Sequence, residues 1–506
     1  MKHKSDFTPS GPGGLSLVSS IGFSLFLVLP WINSPGLNLE FLFVDAANHL
    51  FSQESHHKLD NYFLNQANPL GTAFLARLSQ ELLPFLSSLT AARLQSVLGL
   101  LLVVVSGWWG FRGSRGSNRV FSFWVGVVTL NPLVIVTSTR VSADLLPSAL
   151  VFAAFVIADN ACRKPSLIGM AAVPSLLIAG ATLKYNVIYF LGSLVPLAIS
   201  KSQSQNGVTS KQRLISLASG VFLGSAILTI LLVWQALAYG VVFLDSDLRM
   251  RHGLQLGTPV ENIARATKYV VFLSLLLIPI TVLYLPDLIK KRTLLYLTAL
   301  VVPPLFLLAN SKDPTGGELD FGALIGRVPL VGLALLLVGC LFAPSMLLTL
   351  MYQTAHGRKL NLIAFTAFPL LVMAVARPAQ RYLIPLVLIL SYSILSTTSV
   401  TRLKYRITVP LLLLLFFGSQ TLLGHQNATA LAADRMAIWI KEHELLSRTI
   451  PGPVGTHAGS YWSEVTSVEP SYEVISQGAN DLCSIRHEDV LILRFVTGSY
   501  CLTTYP

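Results

Sequence analysis

Long apolar runs separated by short polar breaks dominate the chain from Leu15 to Leu423. Each run approaches the roughly 20 residues that a helix needs to cross a bilayer. They centre on 15–31, 93–110, 120–137, 145–159, 166–183, 187–200, 214–238, 270–288, 293–309, 328–350, 361–376, 383–399 and 407–423, and predict about thirteen spans. An odd number puts the two termini on opposite sides of the membrane. The first run follows Met-Lys-His-Lys as a signal sequence would, but no small-residue cleavage site follows promptly and further spans come after it. It reads as an uncleaved first helix.

The polar breaks fall into two kinds. Those on one side are short and basic: Lys2 and Lys4; Arg112, Arg115 and Arg119; Arg163 and Lys164; Lys201, Lys211 and Arg213; Lys290, Lys291 and Arg292; Arg358 and Lys359; Arg402, Lys404 and Arg406. Short cytoplasmic loops collect Lys and Arg, so this side is predicted cytoplasmic, with the N-terminus. On the other side lie long loops, 33–92, 240–269 and 310–327, and the tail. Long loops carried by a rigid scaffold are where function is commonly placed.

The tail from 425 to 506 is the soluble candidate. Met436, Ile440 and Leu445 recur at helical spacing within Leu431–Leu446, and Val490-Leu-Ile-Leu-Arg-Phe-Val496 reads as a buried strand. The predicted fold is therefore an all-α polytopic membrane domain over 1–424, followed by a small extracytoplasmic α/β domain over 425–506. Cys483 and Cys501 would lie on the oxidising side, where a disulfide is open to them.

Composition agrees with the pattern. Of the 506 residues 53% are hydrophobic and 12% charged, and the mean hydropathy is +0.64, outside the soluble range. The formal net charge of +12 is dispersed among apolar segments and forms no single basic face, which argues for topology and against nucleic acid as its cause. The four cysteines lack metal-ligand spacing. Gly11-Pro-Gly-Gly14 has no phosphate-loop context.

Charges at the outer ends of the spans carry the candidate chemistry, because an ionised group in or near a bilayer is costly and usually marks a partner or pathway. Asp45 stands in Phe41-Leu-Phe-Val-Asp-Ala-Ala-Asn-His49, just past the first span. Arg140 and Asp144 follow, then Lys184, then Arg377, Arg381 and Tyr382. Cations there can hold a phosphate by charge-assisted bonds, while a carboxylate takes the proton of an attacking hydroxyl or amine. Each residue also has a structural reading. Asp45 can cap a helix starting there, Asp144 can pair with Arg140 at four-residue spacing, Lys184 can snorkel, and Arg377 and Arg381 can simply end a span. His49 shares the Asp45 face four residues on, a spacing open to metal ligation or an ordinary hydrogen bond. In the second outer loop Asp245-Ser-Asp247 has a cation-binding form, and Arg249, Arg251, Arg265 and Lys268 run against the positive-inside trend, as a phosphate-binding loop would. Asn427-Ala-Thr429 fits a glycosylation acceptor.

The order of Asp45, Asn68-Pro-Leu-Gly-Thr-Ala-Phe-Leu-Ala-Arg77, Ala91-Ala-Arg-Leu-Gln-Ser96, Arg140 to Asp144, Leu183-Lys-Tyr-Asn186 and Gln380-Arg-Tyr-Leu-Ile-Pro385 resembles the GT-C membrane glycosyltransferases. Within them it is most similar to the protein O-mannosyltransferase and aminoarabinose-transferase branch. The resemblance implies that Asp45 is the catalytic carboxylate of the first outer loop. It places Asn68-Pro69-Leu70 at the family's His-Pro-Pro-Leu stretch, Lys184 near the donor phosphate, and Arg381 with Tyr382 at the late Arg-Tyr motif beside the lipid phosphate. Ala46 stands where many members have Glu, and Asn68 where they have His, which leaves the second acidic role and any divalent metal open.

The expected protein is an inner-membrane or endoplasmic-reticulum glycosyltransferase. It would move a hexosyl or pentosyl group from a polyprenyl-phosphate donor to a lipid, glycan or protein acceptor on the outer face, with Asp45 as general base. Lys184, Arg381, Tyr382, Arg249 and Arg251 are the expected donor-phosphate contacts, and Arg140, Asp144, His49 and Asn68 the substrate contacts. A lipid-linked sugar flippase, a polymerase or ligase using a lipid pyrophosphate, and an assembly subunit are the competing classes.

Overall fold

The computed structural model describes residues 12–34, 38–50, 69–113, 117–163, 166–199, 209–239, 257–290, 292–311, 329–353, 359–375, 380–398, 403, 405–442, 472–476, 485–491 and 496–504. The chain opens with α1 (Gly14–Val28), extended by a 3-10 turn over Leu29–Trp31. Next come α2 (Asn38–His49), α3 (Gly71–Leu82) and the long α4 (Ser88–Gly113).

α5 (Asn118–Thr129) and α6 (Pro132–Ser138) meet at a 70° bend. The bend is written in Asn131-Pro132. The Asn131 side chain accepts from the Leu133 N–H as an N-cap, and proline at the first helical position starts a new helix instead of continuing the old one. α7 (Leu145–Arg163) and α8 (Leu167–Ala181) follow, then a 3-10 segment over Tyr185–Ser193, α9 (Leu194–Ile199) and α10 (Ser210–Tyr239).

α11 (Pro259–Leu276) begins with a complete capping box between Thr258 and Glu261. Pro279 and Pro286 then break the chain into the short α12 (Ile278–Thr281) and α13 (Leu285–Ile289). α14 (Arg292–Ala309), α15 (Pro329–Gln353), α16 (Lys359–Ala374), a 3-10 turn over Gln380–Leu383, α17 (Ile384–Leu395) and α18 (Tyr405–Glu442) complete the helices.

Among the described residues six helices are long and apolar enough to cross a membrane, or seven with the bent α5–α6 pair as one span. Four shorter apolar helices, α7, α8, α16 and α17, correspond to further expected runs. Within the expected spans 187–200 and 270–288 the described residues form 3-10 or proline-broken backbone rather than one straight helix each. The apolar flanks of the long helices remain uncovered: Phe222 is 78% exposed, Leu237 82% and Leu300 74%. Large contiguous apolar surface of this kind belongs against lipid.

The interior is an aromatic core. Trp124 of α5 stacks on Phe152 of α7 with centroids 5.6 Å apart, while Tyr392 of α17 meets Phe111 of α4 edge-on at 5.3 Å. The buried indole N–H of Trp124 donates to the Ser391 hydroxyl at 3.0 Å, which satisfies the polar end of a large apolar ring.

Two ends of the bundle are distinguished by their bonds. At one, the Gly13 N–H donates to Asn118 Oδ1 at 3.0 Å and the Trp108 indole to the Pro12 carbonyl at 3.0 Å, so the start of α1, the end of α4 and the start of α5 meet. At the other, Trp31 donates to Gln420 Oε1 at 3.2 Å, so the end of α1 meets α18 just before its midpoint.

α18 changes the expected tail. It runs unbroken through residue 425, and the expected helix over 431–446 is a continuation of the last span up to Glu442. At 1.5 Å per residue its 38 residues reach about 57 Å, well beyond a hydrocarbon core of about 30 Å. Strands β1 (Tyr472–Ser476), β2 (Ile485–Leu491) and β3 (Val496–Thr504) form an antiparallel sheet in the order β1-β3-β2, with β2 and β3 against α18. The apolar run Val490–Val496 is not one strand. It divides between the end of β2 and the start of β3, where Leu491 and Val496 are partners.

Candidate active site

The end of the bundle near Trp31 gathers most of the charged side chains that the sequence singles out. Its foundation is Glu40, in the first turn of α2 and only 2% exposed. Arg93 of α4 grips it with two parallel bonds, Nε to Oε1 and Nη2 to Oε2, both 2.8 Å. Arg93 Nη1 also donates to the Ile32 and Ser34 carbonyls at 2.7 and 2.6 Å. Arg140 Nη1 adds a bond to Glu40 Oε2 at 3.2 Å, and the Val141 N–H donates to Oε1 at 2.7 Å. One carboxylate thus ties α2, the start of α4 and the segment between α6 and α7 together. Such fork-to-fork pairing fixes geometry as well as charge.

Glu40 was not among the sequence-predicted residues. An acid within Asn38-Leu-Glu-Phe-Leu42 signals a need for a cation, but nothing local points 53 positions ahead to Arg93.

Four residues beyond Arg140, Asp144 closes the turn into α7. Its carboxylate accepts from the Ser142 hydroxyl at 2.6 Å, and its N–H donates back to Ser142 at 3.1 Å. The cation it pairs with is Lys184, at the end of α8. The expected Arg140–Asp144 pair is therefore replaced by two separate ones, Arg140 with Glu40 and Asp144 with Lys184. The residues lie in the extended connection before α7, so helical i,i+4 geometry does not apply there.

Lys184 Nζ also sits 4.9 Å from the ring centroid of Tyr382, a cation–π contact. Arg381 lies close enough to act on Asp144. Burial pushes the Asp144 carboxyl up, but the charges of Lys184 and Arg381 outweigh it and hold the group below the usual carboxylate range. Two cations and one carboxylate leave this trio a net single positive charge. Beside it, α11 packs on the 380–383 turn, with Arg265 and Lys268 buried at 2% and 1% exposure.

The stretch after Asn68 reaches the same place. The Thr72 hydroxyl donates to the Leu183 carbonyl at 3.4 Å and the Leu70 N–H to Gln235 Oε1 at 3.4 Å. Gly71 allows this, since a Cβ there would collide with the Thr182 carbonyl oxygen. Asn68 itself, Asp245, Asp247, Arg249, Arg251 and Arg377 lie outside the described residues.

Asp45 is the eighth residue of α2, so its backbone is inside the helix and it is no N-cap. Its side chain is outside the described atoms. Its helix shares a buried apolar cluster, through Phe43, Ala46 and Ala47, with Leu70, Val141 and Ala143, the last being the chain neighbour of Asp144. His49, the last residue of α2, is partly buried. Among the described residues no three His, Cys, Asp or Glu side chains come together as metal ligands. Asn427 is buried at 8% exposure within α18, which contradicts the expected glycosylation acceptor.

The fold and this site define a polytopic helical membrane protein with a buried, net-cationic charge cluster at one end of its bundle. Among solved structures it is similar to ArnT from Cupriavidus metallidurans bound to undecaprenyl phosphate, at 12% identity and a TM-score of 0.45, covering 96% of this chain and 97% of that one. No protein-family model and no curated protein matches the chain.

Proposed function

We propose that the chain is a GT-C-type glycosyltransferase that takes a sugar from a polyprenyl-phosphate carrier and passes it to an acceptor on the extracytoplasmic face. The observation that carries this reading is the meeting of Asp144, Lys184, Arg381 and Tyr382, from three separate turns, beside the helix that bears Asp45. The net single positive charge of the Asp144, Lys184 and Arg381 trio matches the single negative charge of a phosphodiester donor. The leaving polyprenyl phosphate gains negative charge as the sugar departs, so fixed cations there stabilise the transition state more than the ground state.

In this mechanism Asp45 takes the proton of the acceptor hydroxyl or amine. The freed lone pair attacks the anomeric carbon as the bond from that carbon to the phosphate oxygen breaks, and the anomeric centre inverts. Lys184 and Arg381 hold the departing phosphate, with Arg249 and Arg251 of the second outer loop as further contacts. Arg140 is a brace for Glu40 rather than a direct contact. The basic loops face the cytoplasm, the charge cluster faces the outer leaflet, and β1–β3 lie outside with the end of α18.

The test is turnover by purified protein supplied with radiolabelled polyprenyl-phosphate sugar. Asp45→Asn is expected to lower the rate by about 10²- to 10⁴-fold, the usual contribution of a general base, while lipid binding is retained. Unaltered turnover would reject Asp45 as the base.

A further inference from the structure

Gln95, on α4, is 2% exposed, and its buried side-chain Nε2 has no hydrogen-bond partner among the described residues. A buried amide left in that state is costly, and an apolar residue of the same shape would fit the interior better. An unsatisfied group of this kind calls for an explanation, and a ligand is one of the few available.

Its position supplies the rest. Gln95 stands two residues past Arg93, about 200° around the helix, so it takes no part in the Glu40 brace. Ala92 and Gly99 share its side of α4. Ala92 packs with Leu70, Ala46 and Ala143, and a Cβ on Gly99 would lie 2.9 Å from the Leu146 Cα at the start of α7. Long helical side chains lean over the preceding turn, so the Gln95 amide is directed towards the layer formed by Ala46 and Ala143. Those two residues are the chain neighbours of Asp45 and Asp144. The amide is therefore aimed at the layer next in the chain to Asp144, whose carboxylate pairs with Lys184.

Resting on the glycosyltransferase reading above, we propose that Gln95 is a hydrogen-bonding contact for the sugar of the lipid-linked donor and helps to set which sugar is accepted. The chemistry favours a hydroxyl-bearing neutral group. An amide donates and accepts but carries no charge, whereas the phosphate is met by Lys184 and Arg381.

The experiment compares wild type with Gln95→Leu, which keeps the bulk and removes the polar atoms, in detergent micelles. The probes are undecaprenyl phosphate and undecaprenyl-phosphate-linked mannose, glucose and arabinose, and melting temperature is read alongside binding. Gln95→Leu is expected to melt at or above the wild-type temperature and to bind undecaprenyl phosphate within about twofold of it. Affinity for the preferred sugar-bearing lipid should fall about tenfold, in line with the loss of one hydrogen bond to a ligand.

Equal affinity of the two proteins for every sugar-bearing lipid overturns the role of Gln95 while leaving the glycosyltransferase reading intact. An equal loss for the bare phosphate and the sugar-bearing lipid overturns it too. Wild type that binds no sugar-bearing lipid more tightly than undecaprenyl phosphate, and turns none over, overturns both readings. Should Gln95→Leu fail to fold, Gln95→Met makes the same comparison.

Discussion

Glu40→Ala is the most direct test of the architecture at the charged end. The substitution removes the acceptor for both parallel bonds from Arg93, the Arg140 bond and the Val141 N–H bond at once. The side chains of Arg93 and Glu40 are 0% and 2% exposed, so water does not replace what is lost. Breaking a buried pair by deleting one partner costs about 3–5 kcal/mol, because the surviving charge stays desolvated. Glu40→Ala is therefore expected to lose about that much in denaturant unfolding in mixed micelles. Glu40→Gln, which keeps the shape and part of the bonding, should lose less. Adding Arg93→Met to Glu40→Ala removes the stranded guanidinium, so the double variant should lose clearly less than the two single losses together. A loss within about 1 kcal/mol for Glu40→Ala, the range of an exposed ion pair, or strict additivity in the cycle, refutes the brace.

Two further outcomes follow from the same region. The folded Asp144 carboxyl is held below its ordinary value by Lys184 and Arg381. The stability it contributes is thus fully present above the ordinary carboxylate pKa and is lost as pH falls through the lower folded value. The melting-temperature gap between wild type and Asp144→Asn should stay constant from about pH 7 to about pH 5 and close only in stronger acid. A gap that closes by pH 5 would contradict the pairing. Gly71→Val should clash with the Thr182 carbonyl, lower the melting temperature and weaken binding of undecaprenyl phosphate through displaced Lys184. A Gly71→Val protein with wild-type melting and binding would show that the close approach of α3 to the end of α8 is dispensable.

The sequence by itself determined the class of the molecule and the rough position of most of its membrane helices, because a bilayer demands runs of apolar residues that can be counted directly; α3 and the start of α11 fall in stretches it assigned to outer loops. It did not mark the bend at Asn131-Pro132, which divides the expected 120–137 span, nor the start of α11 after Thr258, which lies inside the expected 240–269 loop, although local capping chemistry accounts for both. It picked out Asp144, Lys184, Arg381 and Tyr382, since charge and amphipathic rings at span ends stand out against apolar surroundings.

What only the tertiary structure decided was who pairs with whom. Arg140 has an acid four residues away in sequence, yet it bonds Glu40 a hundred positions back, while Asp144 takes Lys184 forty positions ahead. Glu40 and Gln95 gained their meaning only once α2, α3, α4 and the turn before α7 were packed together. Ion pairs and buried amides are satisfied across space, and their energies depend on distance and burial, neither of which is encoded in the spacing along the chain.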